Sequence, residues 1–349
     1  MSKPTIQDIF LYFYPKYLEK YTPSAGQAKV AHCIINCKTG AYGANVSICE
    51  DCGHPQIHYN SCRNRCCPMC QALPKEKWMD KRREDVLEAP YFHVVFTVPQ
   101  ELNPLIYSNQ QLLYDAMYHS VSSTINELTE DTKHLGAKVG YICVLHTWGS
   151  EMNYHPHIHV ILLGGGLTSK NQWKDKGEKF FLPVKVLSKL FRGKYLDELK
   201  TLWEDNKLQF HGSSEKYQNH FAFKELLDSC YKKEWIPHCK KTFNGAQSVI
   251  NYLGKYTHRI AISNHRLICM DENTVTYYVK DYREEGNWKE FTISGVEFIR
   301  RFLMHVPPKR FVRIRHYGLL CTRSKDKHLT LCRNLRKRSP SHPQRLDIT

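Results

Sequence analysis

Apolar positions along the chain change period repeatedly, which predicts a mixed set of helices and strands rather than a single repeating unit. Three- and four-residue spacing predicts helices over residues 6–19 and 75–87, on either side of a cysteine-rich segment. A β-prone run follows Pro90 over residues 91–98, and a helical pattern covers about 109–129. Two β-prone runs, 141–146 and 154–163, are separated by a polar, glycine-containing stretch, as in a hairpin. Gly164-Gly165-Gly166 closes the second run, and the polar residues 168–177 beyond it read as a mobile loop. A helix is expected over 184–206, with strands near 275–280 and 288–293. No 20- to 50-residue period recurs, and no uncharged apolar run nears the ~18 residues of a membrane helix. Residues 1–5 lack a basic-then-apolar signal pattern, so the expectation is a soluble cytoplasmic protein with no membrane partner.

The hairpin carries the most informative chemistry. In Tyr154-His155-Pro156-His157-Ile158-His159-Val160, alternation puts His157 and His159 on one strand face, about 7 Å apart. Two imidazoles so placed can hold one metal ion while Ile158 and Val160 anchor the other face. His146, at the end of the first hairpin strand, falls roughly opposite His157, which extends the pair to three. Unrelated surface histidines are the bland alternative.

Residues 245–259 read as an amphipathic helix. Val249, Tyr252, Leu253 and Tyr256 share one face, so two phenols stack a turn apart. A core stripe is the ordinary meaning of such spacing. Lys255, His258 and Arg259 beside it argue for a phosphate seat instead.

Charge strengthens that reading. The chain has 50 Lys+Arg against 34 Asp+Glu, net +16, the footprint of a polyanion partner. From residue 300 onward there are fourteen basic residues and two acidic ones, an excess of twelve. Apolar anchors persist there from Phe311 to Leu320, so only Arg333 onward is expected to be a free tail.

Eight of the fourteen cysteines lie between Cys33 and Cys70, too dense for disulfides in a protein of this kind. Cys49-x2-Cys52-Gly53 and Cys67-x2-Cys70, with fourteen residues between, form a tetrathiolate zinc pattern. Cys33, Cys37, Cys62 and Cys66 are surplus thiols, of which Cys37, Cys62 and Cys66 are further candidate ligands. Arg63 and Arg65 sit on the same loop and suit contact with a nucleic-acid backbone.

These segments together resemble the HUH-type, two-tyrosine transposases of rolling-circle insertion sequences, the IS-ninety-one-like group. The resemblance rests on Cys49-x2-Cys52-Gly53, residues 60–71, the strand 93–99, the histidine hairpin, residues 252–259 and Arg315-His316-Tyr317-Gly318. Cys66 departs from it, standing where that family more often has histidine. The resemblance implies an α+β fold, an antiparallel HUH-endonuclease sheet flanked by helices, behind a small Cys-rich zinc-binding module. The implied division is 1–88 for the N-terminal helix and zinc domain, 89–300 for the catalytic domain, and 301–349 for the basic segment. It further implies structural Zn2+, a catalytic Mg2+ or Mn2+ on His146, His157 and His159, and Tyr252 and Tyr256 as nucleophiles. Arg63, Arg65, Lys255, His258, Arg259, Arg313 and Arg315 would contact single-stranded DNA at transposon ends and target. The setting would be the bacterial cytoplasm, at the nucleoid. No Gly-x4-Gly-Lys-Ser/Thr motif occurs, so unwinding would fall to a host helicase.

Two rivals share some of these residues. A histidine-triad nucleotide hydrolase fits the alternating histidines but needs neither zinc module nor paired tyrosines. A zinc-dependent nucleic-acid-binding protein without catalysis explains the cysteines and charge but not the histidines and tyrosines.

Overall fold

A computed structural model describes residues 3–177, 182–242, 248–249, 254, 261–281 and 286–338. The chain runs α1 (Ile6–Lys20), α2 (Ala25–Ile35), β1 (Ala44–Ile48), β2 (Pro55–Tyr59), α3 (Ala72–Arg83) and β3 (Tyr91–Thr97). Next come α4 (Asn103–Ser108), α5 (Gln110–Glu130), β4 (Lys138–Trp148), β5 (Tyr154–Leu167), β6 (Trp173–Asp175) and α6 (Val184–Glu204). The remainder is α7 (His220–Lys232), β7 (His238–Thr242), β8 (Leu267–Met270), β9 (Thr274–Asp281), β10 (Asn287–Ser294), α8 (Gly295–Met304), β11 (Ile314–Gly318) and α9 (Lys325–Arg338). This is a mixed helix and antiparallel-sheet protein, as expected. Among the described residues no helix is long and apolar enough to cross a membrane.

The chain forms two compact units, each discontinuous in sequence. The first takes residues 1–78, 147–155 and 254–311, and the second takes 79–146, 156–253 and 312–349. The linear division expected at 88/89 and 300/301 is therefore not the one the contacts make. In the first unit, Thr5 and Asp8 form a capping box that starts α1, and Ser24 and Gln27 do the same for α2. The buried stripe Ile6, Ile9, Phe10, Phe13 and Tyr17 packs on α8, with Phe10 and Phe302 edge-to-face at 5.1 Å. The sheet β10-β9-β8 adds Val275, Tyr277 and Val279 to this core. These late residues complete a core begun by the N-terminal helices, which is why the unit is discontinuous.

The second unit is built on the sheet β11-β4-β5-β3-β7. Its back face, including Phe96 and Ile158, meets α6 through Phe96 and Phe191 at 5.1 Å. Tyr118 of α5 accepts from the Leu145 amide at 3.0 Å and donates to the Arg313 carbonyl, tying β4 to the segment before β11.

Two local expectations change. The three glycines do not end β5, which continues to Leu167 and pairs with β6 inside the expected loop. A Cβ on Gly166 would lie 2.3 Å from the Lys138 carbonyl oxygen, and one on Gly165 would lie 2.4 Å from the Trp173 ring. Here glycine permits close strand approach instead of a stop. Similarly, Arg333 onward is not all tail: α9 runs to Arg338, because Leu329 and Cys332 are buried one turn apart.

Candidate functional site

Alternation along β5 brings His157 and His159 to the same face, and β4 supplies His146. One nitrogen from each of the three lies within 4.8 Å of the others. The Nε2 atoms of His157 and His159 are 3.1 Å apart, and the His146 and His159 ring centres are 4.4 Å apart. His146 and His159 are buried, and His157 is half-buried. Two ring nitrogens this close repel unless a proton or a cation lies between them, so the donor set fits a metal ion.

His93 stands behind this cluster, a residue that spacing arguments did not single out. On β3 it pairs in register with Ile161, one position along the same face from the Val95–His159 pair. Its Nε2 lies 2.8 Å from Nδ1 of His159, both rings buried and nearly parallel at 7°. When His159 donates from Nδ1 to His93, its Nε2 lone pair is turned toward His157. The available signal was a lone histidine inside the apolar strand 91–98, where a buried polar group needs a partner.

The cysteine site differs from the expected set. The structure gathers Cys37, Cys62, Cys67 and Cys70, with sulfurs within 4.8 Å of one another. Cys62 and Cys70 are 3.8 Å apart. A tetrahedron with Zn–S bonds of ~2.3 Å has edges of about 3.8 Å, so the fit is direct. Gln7 of α1 donates to the carbonyls of Ile35 and Cys37, holding the end of α2 beside the loop. Burial pushes the Cys62 thiol up to about 12 and Cys67 up further. Cys37 goes the other way: burial opposes its ionisation, but hydrogen bonds from the Cys62 backbone and the Cys67 thiol hold it below the ordinary value. Buried thiols that resist ionising alone become good ligands once a divalent cation shares the charge.

Cys49 and Cys52, expected as two of the ligands, are exposed at the β1–β2 turn. Their knuckle forms as anticipated, with the Gly53 amide on the Cys49 carbonyl at 2.9 Å, but it is carried on a hairpin away from the other four. Cys66 is buried like Cys37 and Cys67 but is not among the four gathered thiols. Sequence spacing alone could not supply Cys37, which arrives from the end of another helix.

Comparison with known proteins identifies the family of the chain. Residues 9–98 match the transposase zinc-binding domain of the IS91 type, and residues 140–328 match the family described as "Putative transposase" (Y2_Tnp). The chain is 41% identical over 336 residues to "Putative transposase y4qJ" of Sinorhizobium fredii, covering 96% of this chain and 84% of that protein. The chain belongs to the IS91-like transposases. A second relative, the transposase for insertion sequence element IS801 of Pseudomonas savastanoi pv. phaseolicola, is 28% identical, over 83% of this chain and 69% of its own length. Among solved structures, the metal-bound conjugative relaxase TrwC in complex with oriT DNA overlaps 32% of this chain and 44% of its own, with 17% identity and a TM-score of 0.26. As a member of this family the chain is a DNA transposase with an N-terminal zinc-binding domain. That membership leaves the histidine-triad hydrolase reading without support.

Tyr252, Tyr256, Lys255, His258 and Arg259 of the transposase lie outside the described residues. Ser248, Val249 and Gly254 have helical backbone, consistent with the expected helix. Val249 is buried and lines a small cavity with Ile142, Ile161, Tyr91, Leu320, Arg82 and Asp85. Ile161 follows His159 by two residues on the same face of β5. Beside this cavity Asp85 pairs with Arg82 at 2.9 Å and with Lys325 at 2.6 Å. His316 is brought down to about 4 by burial and then by Arg82, whose Nη1 lies 3.2 Å from its Nε2. A neutral His316 accepts that hydrogen bond.

The expected DNA-contacting arginines separate into two kinds. Arg315 is paired with Asp115 and lies 4.0 Å from the Tyr118 ring centre, and Arg65 donates to the carbonyls of Pro308 and Phe311. Both therefore hold structure. Arg63 is exposed on a turn residue at φ +54°, and Arg313 is half-buried with a partner of its own.

Proposed function

We propose that this transposase cleaves single-stranded DNA by attack of a tyrosine hydroxyl, Tyr252 or Tyr256, on a phosphodiester facing the histidine cluster. His146, His157 and His159 would hold Mg2+ or Mn2+, and three neutral imidazoles suit Mn2+ better. Bound there, such an ion supplies positive charge to a nonbridging phosphate oxygen. His93 fixes the tautomer and ring angle of His159. The phenol gives up its proton, its oxygen bonds to phosphorus, and the bond from phosphorus to the 3′ oxygen breaks. That oxygen takes up a proton, leaving a 5′-phosphotyrosine and a free 3′-OH. Because the link is still a phosphodiester, a later 3′-OH can reverse the step and join strands without nucleotide hydrolysis. Two tyrosines provide two such links, as transfer between donor and target requires. Lys255, His258 and Arg259, with Arg63 and Arg313, are the proposed phosphate contacts, and strand separation is left to a host helicase. Cys37, Cys62, Cys67 and Cys70 are the proposed zinc ligands.

The observation that carries this reading is the histidine cluster itself: His146, His157 and His159 each bring a ring nitrogen within 4.8 Å of the others, a donor set that fits one metal ion.

Manganese titrated into zinc-loaded protein, with free Mn2+ read by electron paramagnetic resonance, tests the metal assignment independently of cleavage. His159→Ala should abolish saturable binding and metal-dependent nicking together. His93→Phe should weaken Mn2+ about 10- to 100-fold, with His93→Gln recovering part of the loss. Mn2+ binding in His159→Ala equal to that of the unaltered protein would place the ion elsewhere.

A further inference from the structure

In the first unit, the sheet β10-β9-β8 buries Leu267, Val275, Tyr277 and Val279 on one face. A sheet with one buried face normally presents polar residues on the other. This one presents two large rings, Tyr278 on β9 and Trp288 on β10, 38% and 52% exposed. Trp288 stands opposite Lys280, and Glu290 stands opposite Tyr278, so the two rings are diagonal neighbours. Between them is a cavity of about 280 Å³ lined by His265, Arg266, Tyr278 and Trp288.

Its floor is cationic and fixed. Arg266 is buried, with Nε donating to the Tyr278 carbonyl at 2.8 Å and Nη2 to the Ser150 carbonyl at 2.5 Å. Its guanidinium carbon lies 5.8 Å from the Trp288 ring centre, and the Lys280 ammonium lies 5.2 Å from that centre. Among the described residues, Asp281 is paired with Lys289 at 2.6 Å, and Glu290 does not line the cavity.

We propose that this notch is a stacking site for one unpaired nucleobase of the DNA strand, with Lys280 at its rim taking an adjoining phosphate. The volume falls just short of the ~300–1,000 Å³ of a drug-sized pocket, so it suits one planar ring system and not a whole nucleotide. Every base has a π face to lay on an exposed ring, and a neighbouring ammonium meets the backbone that accompanies it. A duplex offers no unstacked base, so the notch favours single strands. The proposal rests on the single-strand reading above but not on the cleavage chemistry.

The test uses the zinc-loaded full chain without Mg2+ or Mn2+, and fluorescein-labelled oligonucleotides carrying 2-aminopurine. Trp288→Ala should weaken single-strand binding about 5- to 150-fold, the effect of losing one base stack of ~1–3 kcal/mol. It should also relieve 2-aminopurine quenching and leave duplex affinity unchanged, while Trp288→Phe stays within a few-fold of the original. Lys280→Ala should instead reduce the slope of log affinity against log salt by about 0.7. Single-strand binding unchanged in both Trp288→Ala and Tyr278→Ala would overturn the proposal, as would equal loss for single strand and duplex. So would a change in sedimentation with DNA binding unaltered, which would mean the rings meet protein. A lack of single-strand preference in the unaltered protein would sink the single-strand reading itself, whereas a preference that survives Trp288→Ala would sink only the notch.

Discussion

Changing both Tyr252 and Tyr256 to Phe should eliminate covalent protein–DNA adducts while leaving single-strand affinity within about two-fold. Phenylalanine keeps the ring that fills the stripe and removes only the oxygen that would bond to phosphorus. A free phenol near pKa 10 is only about 0.1% ionised at neutral pH, so the reaction depends on an oxygen positioned beside positive charge. With both phenol oxygens removed, the loss should be complete and not partial. Each single variant should still form an adduct through the remaining tyrosine. Denaturing gels with a labelled oligonucleotide and Mn2+ give the readout. Adducts that persist in the double variant would remove the tyrosines from the chemistry.

Cys37→Ser or Cys62→Ser should strip the N-terminal module of its zinc, whereas Cys49→Ser and Cys52→Ser should retain it. Structural zinc contributes on the order of 10–16 kcal/mol to the folding of isolated finger peptides, so one lost ligand matters greatly. Cys37 and Cys67 also belong to the apolar core that includes Ile6, Phe10 and Phe302. Loss of the ion should therefore lower the melting temperature of the first unit, by on the order of 10 °C if several kcal/mol are lost. Zinc content by plasma emission and melting by circular dichroism measure the two effects. Zinc lost from Cys49→Ser and kept in Cys37→Ser would restore the pairing suggested by sequence spacing.

That contrast shows what is legible in the sequence. The histidine hairpin was readable because strand alternation converts local sequence directly into a face, so His157 and His159 had to point together. Helix α1 and strands β3 to β5 were readable for the same reason, their periods being local. The cluster of Cys37, Cys62, Cys67 and Cys70 was legible only in part: Cys67 and Cys70 stand in the familiar spacing and Cys37 and Cys62 were further candidates, but local spacing does not reveal that Cys37, just beyond the end of α2, joins them. His93 was hidden too, since its value lies in a cross-sheet contact with His159. The compact units are discontinuous in sequence because β8 to β10 and α8 complete a core begun by α1 and α2. Apolar residues in those strands declare that they are buried, but not against what. Finally, Gly164 to Gly166 carried a true signal with the wrong meaning, close approach instead of termination.

The most direct measurement is the fate of the two ends of a single-stranded oligonucleotide cleaved by the unaltered protein with Mn2+. With label at the 3′ end, radioactivity should remain on the protein after denaturation, and peptide mass spectrometry should find it on Tyr252 or Tyr256. With label at the 5′ end, a shorter free strand bearing a 3′-OH should be released. Label from the 5′ end on the protein, a histidine-linked phosphate, or cleavage with no covalent species would contradict the account.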